Sequence, residues 1–430
     1  MDNRVKDARE LALFSLVRAE KDAKFINLEI NSTLKRNELS QSEKGLYTAL
    51  VYSTVEKEML LDYLLRGFLK TPVEKLDSEV RACLRLGAVQ ILYFDKLPDH
   101  AVCHESVEII KRSRCRSASG LVNAVLRGVA REKGALLEKA GNAPVYIKYS
   151  IPEWIVSLFE SSYGRDKCIE ILEGFRRKTP LVLHVNTLKT TASKLLTQLC
   201  ENGYAARIHP LHPELLVLDS GCAEDLPGFQ EGMFFVQGTA SALAVRALRI
   251  KPDSCVFDVC ACPGGKSFAA AMALENRGSI YSSDLHESKL SLIEKGASRL
   301  GITIVSASVH DARESFGDME GCADFVICDV PCSGLGVISK KPDIKNKDPQ
   351  DIKRLPEIQK DILENSSRLL KKGGRLLYST CTLNRAENEE VVNAFLEAHT
   401  EFVREASFPV TYFPVGDIED GFFADVIVKV

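Results

Sequence analysis

From Gly238 onward, short apolar runs alternate with stretches of helical period, and this alternation constrains the chain more than any other feature. Strands are predicted at 255–259, 279–283, 303–307, 325–329 and 375–379, and helices at 265–276, 287–300, 351–371 and 387–399. Apolar strands alternating with helices imply a parallel sheet covered on both faces. An open sheet of that kind binds ligands beyond the carboxyl ends of its strands, near the reversal in strand order. The residues that close each strand are therefore where chemistry is expected.

The rest of the chain reads differently. With 430 residues it exceeds a single core, so several domains are expected. Residues 1–135 show helical spacing throughout, as in Leu60, Tyr63, Leu64 and Leu65, and Ser40-Gln41-Ser42-Glu43 has the form of a capping box. This region is predicted to be an all-α domain. Residues 136–150, with Gly141, Asn142 and Pro144, read as a linker, 151–230 as a small α/β module, and 231–430 as the α/β domain. The first residues are charged and lack the apolar core of a signal peptide, and no apolar run reaches the length of a membrane span. Thirteen cysteines, an odd number, without an export signal point to reduced thiols in a cytoplasm. A net charge of −3 does not exclude nucleic acid, because local faces decide. Three basic clusters are candidates for such a face: 111–116, which holds four cations, 176–178, and the group Lys340, Lys341, Lys345 and Lys347.

The segment 254–267 reads as strand, glycine turn and helix. Gly264 and Gly265 let backbone N–H groups approach a ligand, and the following helix offers its positive end to a carboxylate. Gly265-Lys266-Ser267 resembles the end of a P-loop, but position 260 is cysteine, and no G-x-G-x-x-G fingerprint is present. Asp284 ends the next strand, where an acid reaches a ribose hydroxyl pair, and Asp311 follows the third strand. A cofactor with a ribose and no polyphosphate satisfies this pattern, and S-adenosyl-L-methionine is such a cofactor.

Two cysteines close predicted strands: Cys332, in Asp329-Val330-Pro331-Cys332-Ser333-Gly334, and Cys381, in Ser379-Thr380-Cys381-Thr382. The C5 atom of a pyrimidine is a poor nucleophile until a thiolate adds to C6. Such covalent catalysis needs one nucleophilic thiolate, an acid near N3 and a group that assists release. Cys381, Asp329 and Cys332 can fill those roles, with the assignment between the two thiols open. Cys255 and Cys328 read as buried filler. Cys260, Cys262, Cys328 and Cys332 lack the spacing of a zinc site, so no metal is expected.

At these residues the chain resembles the RNA cytosine-5 methyltransferases of the NOL/NOP/Sun family. The resemblance rests on Asp258–Lys266, Asp329–Gly334, Ser379–Thr382, Glu387-Asn388-Glu389, Gly336-Val337-Ile338 with Lys341–Lys345, and Asp420-Gly421-Phe422-Phe423. Residues 1–135 resemble the NusB-like helical RNA-binding domain, including Gly120–Arg127, a fusion typical of the bacterial RsmB (Fmu, Sun) group. The resemblance implies a NusB-like all-α domain, a small RRM-like α/β module and a Rossmann-like methyltransferase domain. It implies methylation of one specific cytosine in 16S ribosomal RNA, free or in an assembling small subunit, by a monomer in the cytoplasm. Cys260, Ala261, Cys262, Pro263, Gly264, Gly265 and Lys266 would wrap the methionine end of S-adenosyl-L-methionine, Asp284 would hold the ribose and Asp311 the adenine side. Asp329 would lie near methyl group and base, Cys381 would be the nucleophile, and Cys332 would assist release.

The chain departs from the family pattern at Cys262, Ser267, Gly238, His184, Ser339 and Asn346. The last two replace a common arginine and tryptophan that bear on RNA docking. Two other readings stand beside this one: a cytosine-5 methyltransferase acting on transfer RNA or another RNA, and a non-catalytic RNA-binding or ribosome assembly factor that keeps the fold.

Overall fold

A computed structural model of the chain describes residues 7–22, 26–219 and 221–430. They fall into two compact units, 1–158 with 341–346, and 159–340 with 347–430.

The first unit is helical, with no strand among its described residues. Helices such as Gln41–Glu56, Ser78–Tyr93, Asp99–Lys111 and Ser119–Arg131 bury one core that includes Leu50, Leu61, Leu84, Ile110 and Leu126. The expected capping box is present: Ser40 Oγ accepts from the Glu43 N–H at 3.3 Å, and the Ser40 N–H donates to Glu43 Oε2 at 3.0 Å. The stretch 136–150, expected as a linker, lies largely in helices Lys133–Gly141 and Val145–Lys148, with Leu136 and Ala140 buried. Glycine and proline at its ends punctuate helices there rather than loosen the chain.

Arg176, Arg177 and Lys178 are exposed, but the other two basic clusters are less open than their composition suggests. In the cluster at 111–116, Lys111 pairs with Glu108 at 2.7 Å and Arg114 with Glu79 at 3.1 Å, while Arg112 and Arg116 are exposed. The segment 341–346 packs within the first unit, where Asp343 Oδ2 accepts from the Ile26 N–H at 2.9 Å and Lys345 Nζ donates to the Val55 carbonyl at 2.7 Å. Burial pushes the Lys345 ammonium down to about 8. Lys347 Nζ donates to the Ser333 carbonyl, and Lys340 pairs with Glu419 and Asp420, so three of the four lysines in this third cluster are engaged rather than forming a free cationic face.

The second unit holds twelve strands among its described residues. Four belong to the small module: β1 (Leu181–Val185), β2 (Ala206–His209), β3 (His212–Leu218) and β4 (Phe234–Val236). They form an antiparallel sheet in the order β2-β3-β1-β4, backed by helix Ala192–Glu201, whose Leu195 and Leu199 are buried against it.

The main sheet contains β5 (Cys255–Asp258), β6 (Ser279–Asp284), β7 (Val305–Val309), β8 (Ala323–Asp329), β9 (Leu370–Thr380), β10 (Phe402–Arg404), β11 (Val410–Tyr412) and β12 (Phe422–Lys429). The order is β7-β6-β5-β8-β9-β12-β10, with β11 also on β12. Strands β5 to β9 pair in parallel, as the alternation predicts, and two apolar clusters flank the sheet. The antiparallel strands β10 to β12 were not expected. Asp425 interrupts the apolar run of β12, which hides it in the sequence. In the fold this carboxylate is fully buried and accepts from Arg404 Nε at 2.9 Å.

Strand order reverses between β6 and β8, on either side of β5. The carboxyl ends of β5, β6, β8 and β9 therefore share one rim, and the amino ends share the opposite one.

Candidate active site

The glycine turn follows β5 at the reversal point. Gly264 has φ +108°, and a Cβ there would meet the Phe268 ring at 2.5 Å, so only glycine fits. The Ala261 N–H donates to the Ser283 carbonyl at 2.8 Å and the Gly264 N–H to the Ala261 carbonyl at 2.6 Å, which folds the turn back on β6. Helix Gly265–Ala273 starts immediately after it.

Beneath the turn lies Asp258, the fully buried last residue of β5. Its Oδ2 accepts from Ser267 Oγ at 2.6 Å, and Ser267 Oγ lies 2.8 Å from Ser282 Oγ. Its Oδ1 has no protein partner, and burial pushes its carboxyl up to about 7. An acceptor left unpaired at the reversal point is the kind of atom an ammonium would satisfy. Asp284 ends β6, is 8% exposed and accepts the His286 N–H at 3.1 Å, with Lys289 Nζ at 3.5 Å. Asp311 is held in a fork by the Arg313 guanidinium, with Nε 3.0 Å from Oδ1, which lowers its carboxyl below the usual range. The residues present fit S-adenosyl-L-methionine: a backbone turn and unpaired acid for its methionine end, and an acid at the end of β6 for its ribose.

Asp329 closes β8, beside Ser379 of β9. Its Oδ1 accepts from Ser379 Oγ at 2.7 Å, and its Oδ2 pairs with Lys266 Nζ at 2.6 Å. Lys266 thus ties the cofactor turn to the acid, a link that the spacing in sequence does not reveal.

The two cysteines meet. Cys332 Sγ lies 3.2 Å from Cys381 Sγ, although 49 positions separate them in sequence, and neither is in a disulfide. The hydrogen bond to Cys381, with burial behind it, holds the Cys332 thiol well above its ordinary range. Cys332 therefore holds its proton more tightly than a free thiol does.

A buried network fixes both thiol loops. Glu387, fully buried, accepts four bonds: from the Ser333 N–H at 2.8 Å, Ser333 Oγ at 2.5 Å, Asn384 Nδ2 at 2.9 Å and Gln359 Nε2 at 3.0 Å. Asn388 pins the residues on both sides of Cys381, accepting from Thr380 Oγ1 at 2.6 Å and donating to the Thr382 carbonyl at 3.0 Å. Ser333 Oγ also lies 2.7 Å from Thr382 Oγ1, which joins the loops directly. The Gly336 N–H donates to the Cys381 carbonyl at 3.0 Å, and a Cβ on Gly336 would lie 2.0 Å from the Gly421 carbonyl oxygen. Glu387 and Asn388 carry no weight in the chemical reading of the sequence. Their only signal is the Glu-Asn-Glu run that follows the second cysteine.

This arrangement, a doubly wound sheet with a glycine turn at the reversal point and reactive groups on neighbouring strand ends, defines a Rossmann-like methyltransferase. Residues 245–425 match the family model of the 16S rRNA methyltransferases RsmB/F, 6–131 match the NusB family, and 151–224 match the ferredoxin-like domain of RsmF/B-like methyltransferases. The chain belongs to the ribosomal RNA small subunit methyltransferase B family. It is 40% identical to the probable member from Bacillus subtilis, over 92% of this chain and 89% of that one, and 30% identical to the probable member from Synechocystis, over 97% and 98%. The crystal structure of PH0851 superposes with a TM-score of 0.83, covering 99% of each chain at 25% identity. A methyltransferase homologue from Pyrococcus horikoshii covers 66% of this chain and 97% of its own, with a TM-score of 0.59 at 26% identity. Among the described residues, no helix is long and apolar enough to cross a membrane.

Proposed function

We propose that this protein methylates C5 of one cytosine in 16S ribosomal RNA, with Cys381 as the covalent nucleophile. The reading is carried by the contact between the two sulfurs, 3.2 Å apart at the ends of adjacent parallel strands and beside Asp329. S-adenosyl-L-methionine supplies an electrophilic methyl group when bound.

The residues act as follows. Cys381 gives its thiol proton to solvent and adds to C6 of the cytosine as the thiolate, forming the S–C6 bond and moving the C5–C6 π electrons to C5, which takes the methyl group. Asp329, held by Lys266 and Ser379, lies beside the thiols and hydrogen-bonds the base near N3. Cys332 stays protonated while Cys381 attacks. After methyl transfer, the C5 proton passes to solvent water acting as the base, its C–H electrons re-form the C5–C6 double bond as the S–C6 bond breaks, and Cys332 assists release by giving its proton to the departing Cys381 thiolate. A thiolate cannot reach C6 within a stacked helix, so the cytosine is unpaired or flipped out. The RNA is 16S ribosomal RNA, free or in an assembling small subunit, and the enzyme acts as a monomer in the cytoplasm.

The test is methyl transfer from labelled S-adenosyl-L-methionine to unmodified 16S RNA, followed by nuclease mapping. Label on one small-subunit cytosine is the expected result. Label on bulk transfer RNA alone would keep the chemistry and overturn the substrate, and no label on any RNA would return the chain to a binding role.

A further inference from the structure

Cys332 and Cys381 have a second chemistry open to them that methyl transfer does not use. Their sulfurs lie 3.2 Å apart, only about 1.2 Å more than the length of a disulfide bond. The loops that carry them are joined beyond the thiols. Ser333 Oγ lies 2.7 Å from Thr382 Oγ1, the Gly336 N–H donates to the Cys381 carbonyl at 3.0 Å, and Asp329 stands in register with Ser379 where the two strands end. Closing the gap therefore takes side-chain rotation within loops already held together. Both residues are partly exposed, so a small oxidant can reach the pair.

Other thiols of the chain are placed differently. Cys83 and Cys328 are buried, and burial pushes each of them up to about 12, so they stay protonated and inert. Selective oxidation thus falls to partly exposed thiols, and among these Cys332 and Cys381 touch each other.

We propose that this pair is a reversible redox switch, in which a peroxide links Cys332 to Cys381 through a disulfide that silences the enzyme until a thiol reductant opens it. The bond rests on the geometry alone, and the silencing rests on the methyl-transfer reading of Cys381. In the first step the Cys381 thiolate attacks one oxygen of hydrogen peroxide, the O–O bond breaks and hydroxide leaves. The sulfur, oxidised by two electrons, becomes a sulfenic acid. In the second step the Cys332 sulfur attacks that of Cys381, the S–S bond forms as the S–O bond breaks, and the departing hydroxide takes the Cys332 proton and leaves as water. The hydrogen bond to Cys381, burial and the charge of Cys381 hold the Cys332 proton in place, and that charge is gone once Cys381 is a neutral sulfenic acid. Capture by Cys332 also stops the sulfenic acid from passing to sulfinic acid, which thiol reductants do not reverse. Disulfides inside cells are usually transient and redox-sensing ones of this kind.

The test treats the reduced full-length protein with hydrogen peroxide, blocks the remaining thiols with iodoacetamide and maps the peptides without reduction. The expected result is a linked pair holding Cys332 and Cys381, with methyl transfer lost in proportion to the linked fraction and both changes reversed by dithiothreitol. In Cys332→Ser, read by peptide mass alone, the same treatment should carry Cys381 to sulfinic acid, which dithiothreitol leaves in place. Wild-type protein with Cys381 oxidised singly and no linked pair would overturn the switch and leave the methyl-transfer reading standing. A linked pair in protein that still methylates RNA would overturn both.

Discussion

The thiol rim and the cofactor turn lie at neighbouring strand ends of one sheet, yet they are built by opposite means. Around Cys332 and Cys381 the side chains over-determine the geometry: Glu387 accepts four hydrogen bonds, and Asn388 grips the residues flanking Cys381. The cofactor turn is shaped mainly by backbone and by the absence of a Cβ at Gly264, and Asp258 beneath it keeps an unpaired oxygen. The difference follows from what each region must hold. Two sulfurs held 3.2 Å apart at neighbouring strand ends tolerate little displacement, so a buried network positions them. The turn at the reversal point is set by backbone instead, and Asp258 Oδ1 beneath it has no protein partner.

Substitutions can break this contrast, and the thiols give the largest effects. Cys381→Ala should abolish methyl transfer, and Cys332→Ala should accumulate a covalent RNA adduct that survives denaturing electrophoresis, because addition proceeds while release fails. An adduct with the Cys381 variant and none with the Cys332 variant would reverse the two roles.

Next comes Glu387→Ala. It strands buried donors on Ser333, Asn384 and Gln359, and each unpaired buried group costs about 1–3 kcal/mol. The expected loss is on the order of 3–5 kcal/mol, read as a lower urea midpoint at unchanged m-value. A loss below about 1 kcal/mol would mean that the loops are held by packing rather than by this network.

Lys266→Met severs the ion pair with Asp329 that joins the two halves. A hydrogen bond between charged groups is worth about 1.5–3 kcal/mol, so kcat should fall roughly ten- to hundredfold while the protein stays folded. A change confined to the KM for S-adenosyl-L-methionine would place Lys266 wholly on the cofactor side.

The smallest effect is a pH slope. The Asp258 carboxyl is raised from 3.8 to about 7 in the folded protein, so between those values the folded state keeps a proton that the unfolded chain releases. The stability from this group is therefore full below the lower value and declines as pH rises toward the upper one, by about 1.4 kcal/mol per pH unit. Asp258→Asn should flatten that decline in the apo protein, as followed by denaturant melts at several pH values. An unaltered slope would show that Asp258 is ionised without the cofactor.

The sequence made the chemistry legible and left its support hidden. Short strands and helices of clear period announce themselves locally, so β6 and helix Glu287–Leu300 fall where periodicity puts them. The glycine turn and both cysteines were visible because each ends a strand. The ion pair of Lys266 with Asp329 and the network of Glu387 were not, because they join residues 63 and 54 positions apart through the register of the folded sheet. Composition misled where side chains turn inward. Lys345 reads as surface charge but is 3% exposed, and Asp425 reads as a strand breaker but lies buried opposite Arg404.

The polarity of the parallel strands also has a practical consequence. β9 runs from Leu370 to Thr380, and at about 3.3 Å per residue it spans much of the sheet between its first turn and Cys381. At its start, Lys371 and Lys372 are exposed. A fluorophore or affinity handle grafted there is tethered to the strand that leads to Cys381 yet stands at the far rim, where it can report on the enzyme without obstructing it.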